Sequence, residues 1–334
     1  MSRQTPIAVA LLVAAFAGPA APSASAQEVP FALPTSPAAW ANSPPLTAEM
    51  LAGKAAFLWF YEEDCPRCRE KWPAMYAEAK KFEGKPVVFI AINSGNSRQA
   101  VEQYGREVGL RWPTIVDTDR SLETAADIGT ISLQNIYQAK VLRADGSLGR
   151  ASFSDIEGSV NSVLTDAKWR VDPAEVPEAL KAAWLQIEFG QFAAAAPLVK
   201  KQLNAANPTV KAAAEKLQAA SLKELSAAVE AAKLKRDAGS KWDAYKTYAA
   251  IGVRFKGLEI PAEATAAVAE LAADSSVRNE LAAKTQWEAI ERVLAGGGLN
   301  KATAGRLERL TKQFAGTEAA GKAQAVLDRA PAAP

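Results

Sequence analysis

The chain has 334 residues, 49% hydrophobic and 23% charged, with a formal net charge of +2. That suits about two globular domains with real apolar cores and excludes the strong basic bias of a nucleic-acid binder. It contains no histidine, which removes histidine metal sites and Ser-His or Cys-His catalysis.

Arg3, the apolar run 7–17 and the small residues Ser23, Ala24, Ser25 and Ala26 read as a secretory signal over residues 1–26. The apolar run is shorter than the roughly 20 residues of a bilayer span. The mature chain is therefore expected to start near Gln27, to have no membrane span, and to work in an extracytoplasmic or periplasmic compartment where disulfides persist. Residues 27–45, rich in Pro, Ala and Ser, read as an extended lead-in. A short helix or turn ends at Gly53, and the continuously apolar residues 55–61 predict a buried strand. That strand stops at Asp64-Cys65-Pro66-Arg67-Cys68, which opens a helix running to Gly84. Residues 86–93 predict a second buried strand, 97–108 a helix, 114–117 a short strand and 119–128 another helix. Strands at 139–144 and 148–153 flank Asp145-Gly146, a strong hairpin signal. Asp155 is placed to cap a last helix ending near Lys168. Strands alternating with helices, then a hairpin and helix, predict an α/β fold over residues 46–168, its mixed sheet covered by helices.

Beyond Pro177 the chain is alanine-rich and strand signals vanish, so residues 177–330 predict an all-helical domain. Helices are expected over 177–204, 208–237, 240–255, 261–294, 299–315 and 317–329, broken by Pro208, Pro261 and the glycines at 296–298. The spacing of its aromatic residues suggests helical hairpins, without settling on a 34-residue period.

Cys65 and Cys68 are the only cysteines, so neither sulfur has another partner in the chain. Two cysteines without histidine are a poor basis for a four-ligand zinc site, and Arg69 stands where covalent haem needs histidine. No metal and no cofactor are expected. A dithiol delivered by a strand to the first turn of a helix suits thiol–disulfide exchange. Cys65 is expected to be the exposed nucleophile and Cys68 the resolving thiol behind it. The helix N-terminus and Arg67 favour the Cys65 thiolate, and Pro66 suits the first turn. Asp64, Glu62 and Glu63 oppose it, and are expected to be weakened by solvation. A static Cys65–Cys68 bridge would be a weak staple, because so small a loop removes little unfolded-state entropy.

With Pro73 eight residues past Cys65, these features resemble the thioredoxin superfamily, in particular its exported TlpA-like, redoxin-type branch. Residues 51–54 look like that branch's approach to the strand, residues 112–117 resemble its second-half strand, and residues 143–146 its hairpin turn. The resemblance covers about residues 40–168. It implies a thioredoxin-like fold, a redox-active Cys65-Cys68 pair and partners consisting of a protein disulfide substrate and a redox partner. Three positions depart from the family. Asp64 stands where tryptophan often precedes the first cysteine, and Trp59 where thioredoxin has a buried acid. The stretch 132–140 has no proline at the family's cis-proline position, which falls near Tyr137, so a trans bond is expected there.

The leading expectation is an exported thiol–disulfide oxidoreductase of unspecified direction. Its alternative is a non-catalytic interaction protein, in which the helical half binds a protein partner and the thioredoxin-like half is a retained scaffold. A peroxidase reading is disfavoured, because Glu62 stands where such enzymes usually carry threonine three residues before the attacking cysteine.

Overall fold

The computed structural model describes residues 31–297 and 299–329. The expected leader over 1–26 lies outside the described residues.

The first half is built on six strands: β1 (Trp40–Ala41), β2 (Ala55–Tyr61), β3 (Val87–Ser94), β4 (Thr114–Asp117), β5 (Gln138–Leu142) and β6 (Leu148–Arg150). They form one sheet in the order β1-β4-β3-β2-β5-β6. β2, β3 and β4 run parallel, while β1, β5 and β6 pair antiparallel. The helices of this half are α1 (Ala48–Leu51), α2 (Pro66–Lys80), α3 (Arg98–Val108), α4 (Ser121–Ala125) and α5 (Ile156–Leu164). This is a thioredoxin-like arrangement.

All seven residues of β2 are buried. Their alternation divides the core, because successive strand side chains point to opposite faces. Phe57, Trp59 and Tyr61 join Trp72 and Met75 of α2 and Val160 of α5. Leu58 and Phe60 face Leu51 of α1, Trp40 and Leu122 of α4. The hairpin is present at Asp145-Gly146, where Gly146 adopts φ +86° and Ser147 N–H bonds to Asp145 Oδ1 at 2.8 Å. Asp155 caps α5, accepting from Gly158 N–H at 2.8 Å.

Several expected boundaries move. Trp40 and Ala41, read as lead-in, pair with Ile115 and Thr114 and extend the sheet. β6 ends at Arg150, because Ser152 N–H turns to Ser159 Oγ at 2.8 Å and commits the chain to α5. The helix expected over 119–128 is confined to Ser121–Ala125.

The second half contains α6 (Lys181–Glu188), α7 (Phe192–Gln202), α8 (Pro208–Asp237), α9 (Lys241–Arg254), α10 (Ala262–Ala273), α11 (Ser275–Gly297), α12 (Lys301–Gln313) and α13 (Glu318–Arg329). α8 has the expected limits, with Asn207 accepting from Thr209 N–H at 2.9 Å as its N-cap. The expected helix 177–204 breaks at Gly190, at φ +70°, and the expected helix 261–294 breaks at Asp274, whose extended backbone ends α10. Leu180, Phe192, Leu217 and Phe255 anchor one apolar core, and Trp287, Leu307 and Leu310 a second.

The halves meet at a buried ion pair. Lys54 Nζ lies 3.3 Å from Glu188 Oε2, and both side chains are 0% exposed. The Glu188 carboxylate also accepts the backbone N–H groups of Arg170 and Val171, at 3.0 and 2.9 Å. The rings of Trp169 and Phe189 flank Lys54 Nζ at 5.5 and 5.7 Å. Burial, helped by the nearby Arg170 charge, lowers the Lys54 pKa to about 8 against the pull of Glu188.

Removing one partner of such a pair leaves an uncompensated buried charge, so Glu188→Ala is expected to cost about 3–5 kcal/mol at neutral pH in denaturant melts. Between pH 8 and 10.5 the unfolded chain keeps the Lys54 proton that the folded chain has lost. Stability therefore rises with pH across that window. Measured against Lys54→Met, the parent chain is expected to gain stability from pH 8 to 10.5, and a flat difference would contradict the assignment.

Candidate functional site

Cys65 is the N-cap of α2, and its Sγ accepts the Cys68 N–H at 3.2 Å. A sulfur there receives an otherwise unpaired backbone donor and the positive end of the helix dipole, both of which favour its anion. Pro66 occupies the first helical turn, and Pro66, Arg67 and Asp64 are exposed. The structure corrects one expectation: Cys65 is only 3% exposed, and Cys68 is 0% exposed. Capping is the cause, because it turns the Cys65 side chain back over the first turn and into the aromatic cluster beneath. Both cysteines are free thiols. Burial, and then the adjacent Cys65 sulfur, push the Cys68 pKa up to about 12.

That cluster is dense in rings. Trp59 is fully buried and stands 4.4 Å from Trp72 and 5.8 Å from Phe153 between centroids. Tyr61 stacks on Tyr104 at 5.4 Å, and Trp72 Nε1 donates to Tyr104 Oη at 2.8 Å. Burial raises the Tyr104 pKa to about 12.

Glu62 and Glu63 are not simply solvated. Glu62 Oε1 accepts from Arg120 at 3.1 Å and Glu62 Oε2 from Asn96 at 2.9 Å. Glu63 Oε2 accepts from the buried Asn93 at 2.7 Å, and from Asn96. Burial nevertheless raises the Glu62 pKa. Arg120 also grips the buried Glu123, at 2.8 Å. The turn after β3 permits this: Gly95 sits at φ +87°, and a Cβ there would strike the Arg120 guanidinium. The partners Asn93, Asn96 and Arg120 were invisible as a group in the sequence, since the parallel strands and their following loops bring them together.

Tyr137, expected near the family's cis-proline position, adopts φ +69°, and no cis peptide bond occurs among the described residues. Its ring stacks on Phe153 at 4.7 Å with 17° between planes, and Lys71 Nζ lies 5.6 Å from its centroid. The adjacent Ile136 packs against the cluster that contains both cysteines. Burial first, then the charges that Cys68 and Cys65 would carry, raise the Tyr137 pKa, while Arg67 opposes. Among the described residues no group of three or more Cys, Asp or Glu side chains could hold a metal ion.

A mixed sheet whose central strand ends in a capped Cys-x-x-Cys defines a thioredoxin-like domain with a redoxin-type dithiol. Residues 29–145 match the AhpC/TSA family model, and the resemblance read from the residues stands for this part of the chain. Among curated relatives, thiol-disulfide oxidoreductase ResA of Bacillus subtilis (strain 168) is 33% identical over 81 residues, 24% of this chain and 45% of the relative. ResA of Bacillus anthracis is 25% identical over 118 residues, covering 34% of this chain and 65% of the relative. The chain thus spans less than two thirds of the length of either relative. Solved structures include a thiol:disulfide interchange protein from Chlorobium tepidum TLS, with a TM-score of 0.30 and 24% identity over 40% of this chain and 98% of that one. Another is a secreted Mycobacterium tuberculosis disulfide oxidoreductase, with a TM-score of 0.28 and 22% identity over 36% of this chain and 89% of that one.

Because burial is the leading cause of the raised Cys68 pKa, Cys65→Ser is expected to leave Cys68 resistant to iodoacetamide at pH 8, reacting only under strongly alkaline conditions. Rapid alkylation at pH 8 would contradict that. Arg120→Ala strands the buried Glu123 carboxylate and is expected to cost about 3 kcal/mol in denaturant melts.

Proposed function

We propose that the chain is an exported thiol–disulfide oxidoreductase that exchanges its Cys65-Cys68 dithiol with protein disulfides. The observation that carries this reading is the Cys68 N–H donated to Cys65 Sγ at 3.2 Å, at the start of α2. It favours a thiolate on Cys65, and only a thiolate attacks a disulfide. The Cys65 thiolate attacks one sulfur of the partner disulfide, so a mixed disulfide forms and one partner thiolate leaves. Cys68 then passes its proton to the partner thiolate released in the first step and attacks Cys65 Sγ. A Cys65–Cys68 disulfide forms as the second partner thiolate leaves. The partner gains two electrons and the dithiol loses two; exchange with a dithiol protein, run in reverse, restores the reduced pair. Arg67, Asp64 and Pro66 tune the nucleophile from the exposed side of the turn.

Residues 46–168 serve as the redox unit in this reading, and residues 177–330 hold a protein partner. The leader-like residues 1–26 direct the chain to an extracytoplasmic compartment. Among the described residues no helix is long and apolar enough to cross a membrane. A second reading, a non-catalytic interaction protein, draws on the 3% exposure of Cys65.

One assay separates them. The parent chain is expected to accelerate insulin reduction by dithiothreitol, and Cys65→Ser to return the rate to background. Cys68→Ser is expected to trap mixed disulfides that dithiothreitol releases. No acceleration and no trapped species would leave the interaction protein standing.

A further inference from the structure

A cavity of about 530 Å³ lies where α1 of the first half meets α8 and α9 of the second. Its volume falls within the range of about 300–1,000 Å³ typical of small-molecule sites. Neither cysteine lines it, and α1 precedes the start of β2 whereas Cys65 follows its finish, so the cleft is separate from the dithiol. Glu49 and Met50 form one wall, and Ile251, Arg254 and Phe255 of α9 another, joined by Lys235 of α8. Gly190 lies between the walls. A Cβ there would stand 3.7 Å from Arg254 Nη2 and 3.9 Å from Met50 Cγ, so its absence leaves space beside both.

The charges of this cleft are unequally matched. Lys246 is ion-paired with Asp243 and Glu318, at 2.9 and 2.7 Å. Arg254 has no such partner. Its guanidinium lies 5.1 Å from the centroids of Phe192 and Phe255, two rings stacked on each other at 4.8 Å. Glu224 Oε2 is 3.9 Å from Arg254 Nη2, beyond hydrogen-bond reach, and the other oxygen of that carboxylate lies 3.1 Å from Arg170 Nε. Among the described residues the Arg254 guanidinium donates no hydrogen bond, although such a group carries five N–H donors. Burial lowers its pKa, against the attraction of Glu224 and Glu49. Lys235 Nζ donates to the Thr247 hydroxyl at 2.9 Å and has no carboxylate within ion-pair distance among the described residues. Both cations attract the Glu49 carboxylate, and two positive charges against that single negative one leave an excess of one.

We propose that this cleft binds a small amphipathic monocarboxylate, its carboxylate on Arg254 and its apolar body against Met50, Ile251 and Phe255. The guanidinium fork offers a carboxylate two parallel N–H···O bonds, in a geometry that an ammonium cannot supply. Lys235 adds a second attraction from α8. The single excess charge suits a monoanion, and the apolar walls disfavour compact anions, which have no body to lay on them. A ligand so held touches α1 and α9 together, and therefore ties the two halves to each other.

Calorimetric titration of the full chain with sodium decanoate, kept below its micelle threshold, tests the site. The parent chain is expected to bind it saturably, one molecule per chain, and to give no saturable heat with acetate or inorganic phosphate at the same concentrations. Arg254→Gln is expected to weaken decanoate binding about tenfold, equivalent to about 1.4 kcal/mol. Ala250→Trp places a ring at an exposed position of α9 that lines the cleft, and is expected to abolish binding while the chain stays folded by circular dichroism. It also decides the matter should Arg254→Gln fail to fold. Lys233→Gln, on α8 but outside the lining, is expected to bind within about twofold of the parent, a difference too small to register as a lost contact. No saturable binding by the parent would overturn the site. So would an affinity unmoved by Arg254→Gln or by Ala250→Trp, or decan-1-ol bound as tightly as decanoate. The titration does not involve the thiols, so its failure leaves the exchange reaction standing, and failure of the insulin assay leaves the cleft standing.

Discussion

The burial of β2 is the constraint on which the other features depend. Its seven residues are inaccessible on both faces, and both its edges are hydrogen-bonded, to β3 on one side and β5 on the other. Each large apolar side chain so placed contributes about 1.5–3 kcal/mol relative to exposure, so the strand has no freedom to shift register or tilt. What lies just beyond its ends is therefore fixed. At the start, Lys54 is carried into the junction with the helical half. At the finish, four residues past Tyr61, Cys65 is delivered to the first turn of α2.

The two ends treat charge in opposite ways. Lys54 is buried as a cation and matched by Glu188, which is itself braced by two backbone N–H groups. At the dithiol end, Glu62 and Glu63 are tied to Arg120, Asn93 and Asn96. Their negative charge is held toward β3 and the following loop by these bonds, which limits its opposition to an anion on Cys65. The difference between the sulfurs then follows from position alone. One caps a helix and accepts a backbone donor, while the other sits a turn deeper, where burial keeps its proton on.

The features legible in the sequence were those governed by local periodicity or by residue-specific backbone rules. The apolar run of β2, the Cys-x-x-Cys at its end, the Asp145-Gly146 turn and the Pro208 start of α8 belong to this group. β1 was not legible because two residues carry no period, and only pairing with β4 makes Trp40 and Ala41 a strand. The break at Asp274 was missed because no glycine or proline marks it. In the site, both sulfurs were apparent at once, but the small exposure of Cys65 depends on its capping geometry and on the cluster below. Tyr137 could be located only as the place of a missing proline. Its ring, and the lysine and phenylalanine that hold it, converge from segments far apart in the chain.

The sheet closes on both sides with very short strands, β1 of two residues and β6 of three. Edges this brief offer few free N–H and C=O groups for an incoming chain to continue the ladder. That protects the molecule from edge-to-edge aggregation. It also means that an extended polypeptide docking here finds little main-chain template, so discrimination among partners falls to side chains, loops and the grooves between helices.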